Sequence, residues 1–367
     1  ANGSAQSVTT SSITYSNGAN MIITGGNNVD TISLGNSDDF INPKVGADIV
    51  GGGLGNDTYD VTAVEAVNSY VESASGGTDT LFITADTDFQ TQKVGTVIGG
   101  SYAVGALTNF EQIVLTNNKD LTVLGSQLTG TTIKLNKVAA GNATLLNING
   151  TANADTVNLA GLSTTPITAY IKSDGESAAA LGFGADDADL VNHDYGAGAD
   201  IITLSTDTGL NDIINIDTTD SSTAGYDVIT NFSATVAASA DTLDITSGTL
   251  FDGAIELNAV IGWDVDGVTV TNGVGVFDDG GVAVAIDSIA DLRLAFAAIM
   301  AENATAAVAK VFAFAATGTA STGGAGSTFV YEGVTGGGTA SSFVELNGLT
   351  GVTHVSDTEG ANKIHIA

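Results

Sequence analysis

The sequence predicts an all-β chain: a parallel β-roll or β-helix solenoid, joined to a C-terminal β-rich domain with one helix. Three observations carry that expectation. Asp30, Asp39, Asp48 and Asp57 recur at a constant interval of nine residues. Each is followed two places later by a residue suited to a core, respectively Ile32, Ile41, Val50 and Tyr59. The chain also holds 47 glycines against 2 prolines, so positive-φ corners are plentiful and few backbone donors are lost to a sheet ladder.

The nine-residue unit divides into a turn and a strand. Gly52-Gly53-Leu54-Gly55-Asn56-Asp57-Thr58-Tyr59-Asp60 fits G-G-x-G-x-D-x-U-x in full, the repeat of a calcium-binding parallel β-structure. Its glycine-rich six residues must turn, because the three that follow make only a short strand. Side chains alternate along a strand, so the U residue points inward. Residues 25–32 and 35–41 repeat the unit, and residues 17–23 are a degenerate coil with Met21 in the aspartate's place. Residues 43–50 lack the first glycine pair and bring Lys44 close to the expected cation. Residues 1–60 are thus expected to form the first array.

Residues 61–145 form a β-rich linking module. Segments such as Thr80-Leu81-Phe82-Ile83 and Gln112-Ile113-Val114-Leu115 alternate with polar turns at irregular spacing, which fits a meander or a widened solenoid. A second, looser array is expected over 146–250. Asp155, Asp189, Asp200, Asp212, Asp227 and Asp241 each open a D-x-U core, with intervals of 11, 12, 15 and 14 from Asp189 onward. Insertions of that size belong in turns, where repeats tolerate them.

Residues 251–367 form the C-terminal β-rich domain. Val265-Asp266-Gly267-Val268 and Asp278-Asp279-Gly280-Gly281 read as hairpin signals. One helix is predicted from Ser288 to about Glu302, capped by Asp287, with Ile289, Leu292, Phe296 and Ile299 on one face. Strand-like text returns at 327–331, 343–346 and 363–367. Trp263 and the other aromatics read as core.

Charge narrows the function. The 41 acidic and 9 basic residues give a net charge of -32, with no basic stripe for nucleic acid or an anionic membrane. Such a balance often means disorder, but 43% apolar residues supply a core. The acidic surplus calls for a counter-cation, and divalent metal suits it. There are no cysteines, so disulfides and thiolate sites are out. No apolar run approaches the ~20 residues of a membrane helix, so no direct membrane insertion is expected. A start at Ala1 without an initiator Met leads us to expect a piece of a longer protein. His193, His354 and His365 show no paired metal spacing, and no G-x-S-x-G elbow occurs, so no enzyme is expected.

Together these residues resemble the RTX family of type I-secreted bacterial proteins. Residues 55–83, with Glu72 and Asp79, look like the G-N-D-T-Y-x-V…E…G-T-D-T-V module that often follows the repeats. Residues 107–116 are similar to its next element, L-x-N-x-E-x-L-x-L-T. Residues 227–244 look like the D-x-I-x-D-F…D-x-L-D segment that closes many arrays, with Asn231 in place of an acid. The tail resembles type I secretion termini in character: small, aliphatic, acidic, with few basic residues.

The resemblance implies several Ca2+ ions between turns of successive eighteen-residue coils. Same-edge partners are then Asp30 with Asp48 and Asp39 with Asp57. Without metal, two carboxylates ~4 Å apart repel by up to ~4 kcal/mol at an effective dielectric near 20. The arrays are therefore expected to fold on binding calcium. It further implies a structural cell-surface protein, the C-terminal part of an S-layer subunit that self-associates into a lattice through calcium after export by the type I secretion machinery. The C-terminal region of a large adhesin, or of an exported hydrolase with an upstream catalytic domain, remain the alternatives.

Overall fold

A computed structural model describes residues 5–7, 13–14, 20–62, 68–72, 76–90, 107, 109–116, 118–138, 146–151, 153–163, 170–171, 177–178, 181–182, 191–195, 198–206, 212–216, 226–234, 240–245, 249–257, 265–303, 310–317, 326–333, 341–356 and 363–367. The fold is mostly β, with many parallel strands and two helices among the described residues. The chain divides into two compact units. One comprises residues 1–149, 158–192 and 205–210, and the other 150–157, 193–204 and 211–367.

In the first unit the described short strands from Ala5–Ser7 to Thr80–Ile83 alternate between two sheets, pairing in parallel within each. Ile22–Thr24, Phe40–Asn42, Thr58–Val61, Thr80–Ile83, Gln112–Leu115 and Lys134–Lys137 follow one another in one sheet. Ile13–Thr14, Thr31–Ser33, Ile49–Gly51 and Ser69–Tyr70 form the other. The register keeps like over like. Ile23 pairs with Ile41, Ile41 with Tyr59, Tyr59 with Leu81, Leu81 with Ile113 and Ile113 with Leu135. Every member of that row is buried. The period-two alternation of a strand puts the U residue inside, and the parallel register stacks it on its counterpart.

The irregular spacing of 61–145 is absorbed between strands: Thr80–Ile83, Gln112–Leu115 and Lys134–Lys137 continue the first sheet in register, while Thr87–Asp88, Leu121–Leu124 and Leu146–Asn149 pair in parallel in a further sheet. One element there was not legible: a single helical turn, Gly125–Leu128, follows the strand Leu121–Leu124. The Gln127 side chain ties it down, accepting from Leu124 N–H at 2.8 Å and donating to Phe89 O at 3.0 Å.

In the second unit Ile201–Thr203 and Asp227–Thr230 pair in parallel, then Asp227–Thr230 pairs in parallel with Ser341–Asn347. From there the sheet turns antiparallel through Ser327–Gly333 and Lys310–Ala316. A second parallel pair, Asp212–Ile216 with Thr242–Ile245, is closed by antiparallel Lys363–Ile366. Strands from the tail thus cover edges that would otherwise present unpaired backbone.

The helix runs Ile289–Asn303. Leu292, Ala295, Phe296, Ala298 and Ile299 are buried in a core with Phe312, Phe314, Phe329, Tyr331 and Phe343. Its cap differs from the expectation. Ser288, not Asp287, holds the first turn, its hydroxyl accepting from Asp291 N–H at 3.1 Å and donating to the Asp291 carboxylate at 2.5 Å. That reciprocal pair satisfies an orphan donor that a residue one place earlier would not reach. The Ile289 side chain and Trp263 lie outside the described residues.

One hairpin signal also moves. The strands Gly267–Thr271 and Val274–Asp279 are joined at Asn272-Gly273, both with positive φ (52° and 73°). Asn-Gly meets the backbone twist of a two-residue hairpin; Asp266-Gly267 instead opens the first strand. The second signal falls on a turn, where Gly280-Gly281 joins Asp279 to its partner Val282.

Candidate metal-binding edges

Asp39, Asp48 and Asp57 each reach back two repeats, the carboxylate accepting the backbone N–H of the residue eighteen places earlier. On one edge of the first unit the chain of bonds runs Met21 N–H to Asp39 (2.7 Å), Asp39 N–H to Asp57 (2.8 Å), Asp57 N–H to Asp79 (2.8 Å) and Asp79 N–H to Glu111 (2.8 Å). On the other it runs Asp30 N–H to Asp48 (2.7 Å) and Asp48 N–H to Asn68 Oδ1 (2.9 Å). Asp30 uses its Oδ2 within its own turn, accepting from Gly26 N–H at 2.7 Å. Amide-to-carboxylate bonds of this length are charge-assisted and strong.

On the longer edge the residues before the rungs tie the turns as well. Asn56 N–H donates to Asp38 Oδ1 and Thr78 N–H to Asn56 Oδ1, at 2.7 and 2.8 Å. Asp38 thus clamps adjacent turns.

The turns stack with no room for a side chain at selected points. A Cβ on Gly53 (φ 99°) would lie 2.3 Å from Gly35 O, and one on Gly55 (φ 129°) 2.4 Å from Ser37 O. Lys44 occupies the place in its turn that Gly53 holds in the next. It adopts φ 63°, a conformation costly for an L-residue, and its side chain is exposed.

The second unit uses the same device. Asp155 N–H donates to Asp200 (2.6 Å), Asp200 N–H to Asp227 (3.0 Å) and Asp212 N–H to Asp241 (3.1 Å). Asp155, like Asp30, holds its own turn, accepting from Thr151 N–H at 2.6 Å. Asp241 also accepts from Ser233 N–H at 2.7 Å. Asn231, in the place of an acid, sits at φ 69° and donates its amide to Leu204 O at 3.1 Å, which a carboxylate could not do. Asp189 lies outside the described residues.

At Asp212 the ladder meets His193, a residue with no paired metal spacing in the sequence. His193 is fully buried, with Nε2 2.7 Å from Asp212 Oδ1 and Nδ1 2.7 Å from the Tyr195 hydroxyl. Burial, then the charges of Asp212, Asp200 and Asp155, push the Tyr195 phenol well above its ordinary value.

The edges are short of positive charge. Burial pushes Asp57 up to about 8, against the pull of Asp39 N–H and with further push from Asp79, Asp39 and Asp38. Asp79 rises to about 7, chiefly by burial and then the nearby Glu111. Burial likewise takes Asp39 and Asp200 to about 6 and Asp241 to about 8, the last with Asp212 beside it. Among the described residues, Asp48 Oδ2, Asp57 Oδ2 and Asp200 Oδ2 are buried with no hydrogen-bond partner. A buried carboxylate oxygen without a donor costs more than the ~1–3 kcal/mol of a neutral orphan, so such atoms mark places for a cation. Asp57, Glu72 and Asp79 bring ligand oxygens within 4.8 Å of one another and can hold a metal ion.

The sequence reading did not assign Asp79, Glu111, Asn68 or Glu72 to the edges. Two of them carried a usable signal: Asp79-Thr80-Leu81 and Glu111-Gln112-Ile113 repeat the acid-x-apolar core. No protein-family model, curated protein or solved structure matches the chain. No helix among the described residues is long and apolar enough to cross a membrane.

Proposed function

We propose that this chain is a structural, calcium-dependent cell-surface protein of the RTX kind. In this reading the alternating parallel strands are coils of a β-roll solenoid, and calcium ions sit along its aspartate edges. Asp30 works with Asp48, Asp39 with Asp57, Asp155 with Asp200, Asp200 with Asp227, and Asp212 with Asp241. The observation that carries the reading is the repeated rung: one carboxylate oxygen bonds the preceding coil while the other, at Asp48, Asp57 and Asp200, is buried without a partner. Oxygen-only donors on rigid, glycine-cornered turns suit a hard cation such as Ca2+.

The metal builds structure and performs no chemistry. After type I secretion the subunit folds on extracellular calcium and joins its neighbours into a two-dimensional S-layer lattice. The surplus of acid supports that last step, because calcium relieves repulsion between subunits of net charge -32. Circular dichroism with and without EGTA tests the folding, and an unchanged spectrum sinks it. Electron microscopy at millimolar calcium tests the lattice; dispersed monomers would overturn that part.

A further inference from the structure

We infer that Asp57, Glu72 and Asp79 form a cation site of their own, richer in carboxylate than the two-aspartate edges and oriented by Tyr59. The inference deepens the calcium reading and rests on it for the kind of cation. All three acids are buried, with relative exposures of 0%, 5% and 1%. Three carboxylates meet here, and in oxygen-liganded sites charge count and rigidity tune affinity. Asp57 Oδ2 adds an independent sign, being fully buried with no partner of its own.

The third ligand is gripped from inside the core. The Tyr59 hydroxyl donates to Glu72 Oε1, and Gly52 N–H lies 3.1 Å from the same oxygen. Gly52 N–H is also 2.5 Å from the Tyr59 hydroxyl oxygen, so the ring, the turn and the acid form one cluster. The Tyr59 ring is held edge-on by Tyr70 and Phe110, with centroids 5.7 and 5.5 Å away. Such packing fixes the hydroxyl and, through it, the carboxylate. Gly52 is required beside this cluster, because a Cβ there would lie 2.2 Å from Asp57 Oδ2. No nitrogen or sulfur ligand belongs to the group, which favours calcium or a lanthanide over zinc or copper.

The site falls where the nonapeptide code ends. Glu72 follows the strand Ser69–Tyr70 and Asp79 precedes the strand Thr80–Ile83, so the cation staples the last full repeat to the strands after it. Tyr59 acts as a positioning residue for this site, not as a ligand.

The test uses the full chain stripped of metal, titrated with terbium(III) under tyrosine excitation and then competed with calcium. Native mass spectrometry counts bound calcium ions in parallel. Glu72→Gln is expected to abolish the tightest binding phase and lower the ion count by one. Tyr59→Phe keeps every carboxylate and is expected to preserve the count, weaken the tightest phase by about 10-fold and reduce its sensitised emission. Asp48→Asn, on the other edge, is expected to lower the count while leaving the tightest phase in place. Should Glu72→Gln fail to fold, Tyr59→Phe decides alone: a tightest phase unchanged in affinity and emission overturns the inference. If the parent binds neither ion, the calcium reading falls with it. If the parent and Asp48→Asn behave as expected but both Glu72→Gln and Tyr59→Phe match the parent, only this site falls.

Discussion

Within the first array the carboxylate that takes a ladder residue's N–H lies eighteen residues further on, as from Met21 to Asp39, Asp30 to Asp48 and Asp39 to Asp57, and the interval lengthens to 22 where Asp57 meets Asp79 beyond it. In the second array the corresponding intervals are 45, 27 and 29 residues, yet the bonds are the same. Chain length between rungs is therefore free, while the position of the acid directly before an inward-facing strand is not. The arrays differ more in what meets the carboxylates. The first array's longer edge ends in acids, with Asp57, Glu72, Asp79 and Glu111 close together. The second sets a buried imidazole against Asp212. One edge concentrates negative charge, and the other gives part of it a partner within the protein.

The largest test of that contrast is metal removal. In EGTA, hydrogen exchange is expected to collapse to free-chain rates over 20–61, while the aromatic core around Phe296, Phe314 and Phe329 keeps measurable protection. That core draws on stacked rings and a covered sheet, with Phe296 and Phe343 stacked at 3.7 Å between centroids. Uniform loss would erase the distinction.

Acid is expected to replace calcium in part. The raised carboxyls at Asp39, Asp57, Asp79, Asp200 and Asp241 bind protons more tightly folded than unfolded. Their contribution to metal-free stability is then fully present below about 4, the ordinary carboxylate range, and is lost as pH rises through about 6 to about 8. Metal-free melting temperature should fall between pH 5 and pH 8.5. In excess calcium that fall should disappear, because the cation stands where the protons stood. A metal-free melting temperature that rises with pH would contradict the account.

Single substitutions sharpen the comparison further. His193→Leu leaves the Asp212 carboxylate and the Tyr195 hydroxyl without their partner, an expected loss of about 2–3 kcal/mol in chemical denaturation. The loss should persist at saturating calcium; one that vanishes would mean that the cation, not the imidazole, holds that edge. Asp57→Ala strands Asp39 N–H and removes a carboxylate, an expected loss at saturating calcium greater than the about 1–3 kcal/mol of one unpaired backbone donor, read by chemical denaturation. A loss no larger than that of the donor alone would detach Asp57 from any cation. Lys44→Gly relieves a left-handed residue and is expected to stabilise the first array by about 0.5–1 kcal/mol. A loss on that change would show that the exposed lysine has a partner beyond this chain.

Much of the candidate site was legible because its rule is local. An acid two places before an apolar residue puts the carboxylate at the turn and the apolar group in the core, and constant spacing makes the rule visible. Asp79 and Glu111 obey it, but intervals of 22 and 32 residues hide them from a search for period. Glu72 and His193 obey no spacing. They arrive through the packing of distant segments, as Glu72 meets the Tyr59 hydroxyl and His193 meets Asp212. The helix cap failed for a smaller reason: Asp287 and Ser288 are both good caps, and only the backbone path selects the serine.

By itself the sequence determined the strand-and-turn rhythm, the inward row beginning Ile23, Ile41 and Tyr59, and the acids that line the turns. These follow from alternation along a strand and from the steric freedom of glycine, which act over a few residues. Only the tertiary structure decided which acids share an edge, which carboxylate oxygens are left without a donor, and which edge receives an imidazole. Those outcomes depend on register between strands and on burial, and neither is fixed until the strands pair into sheets.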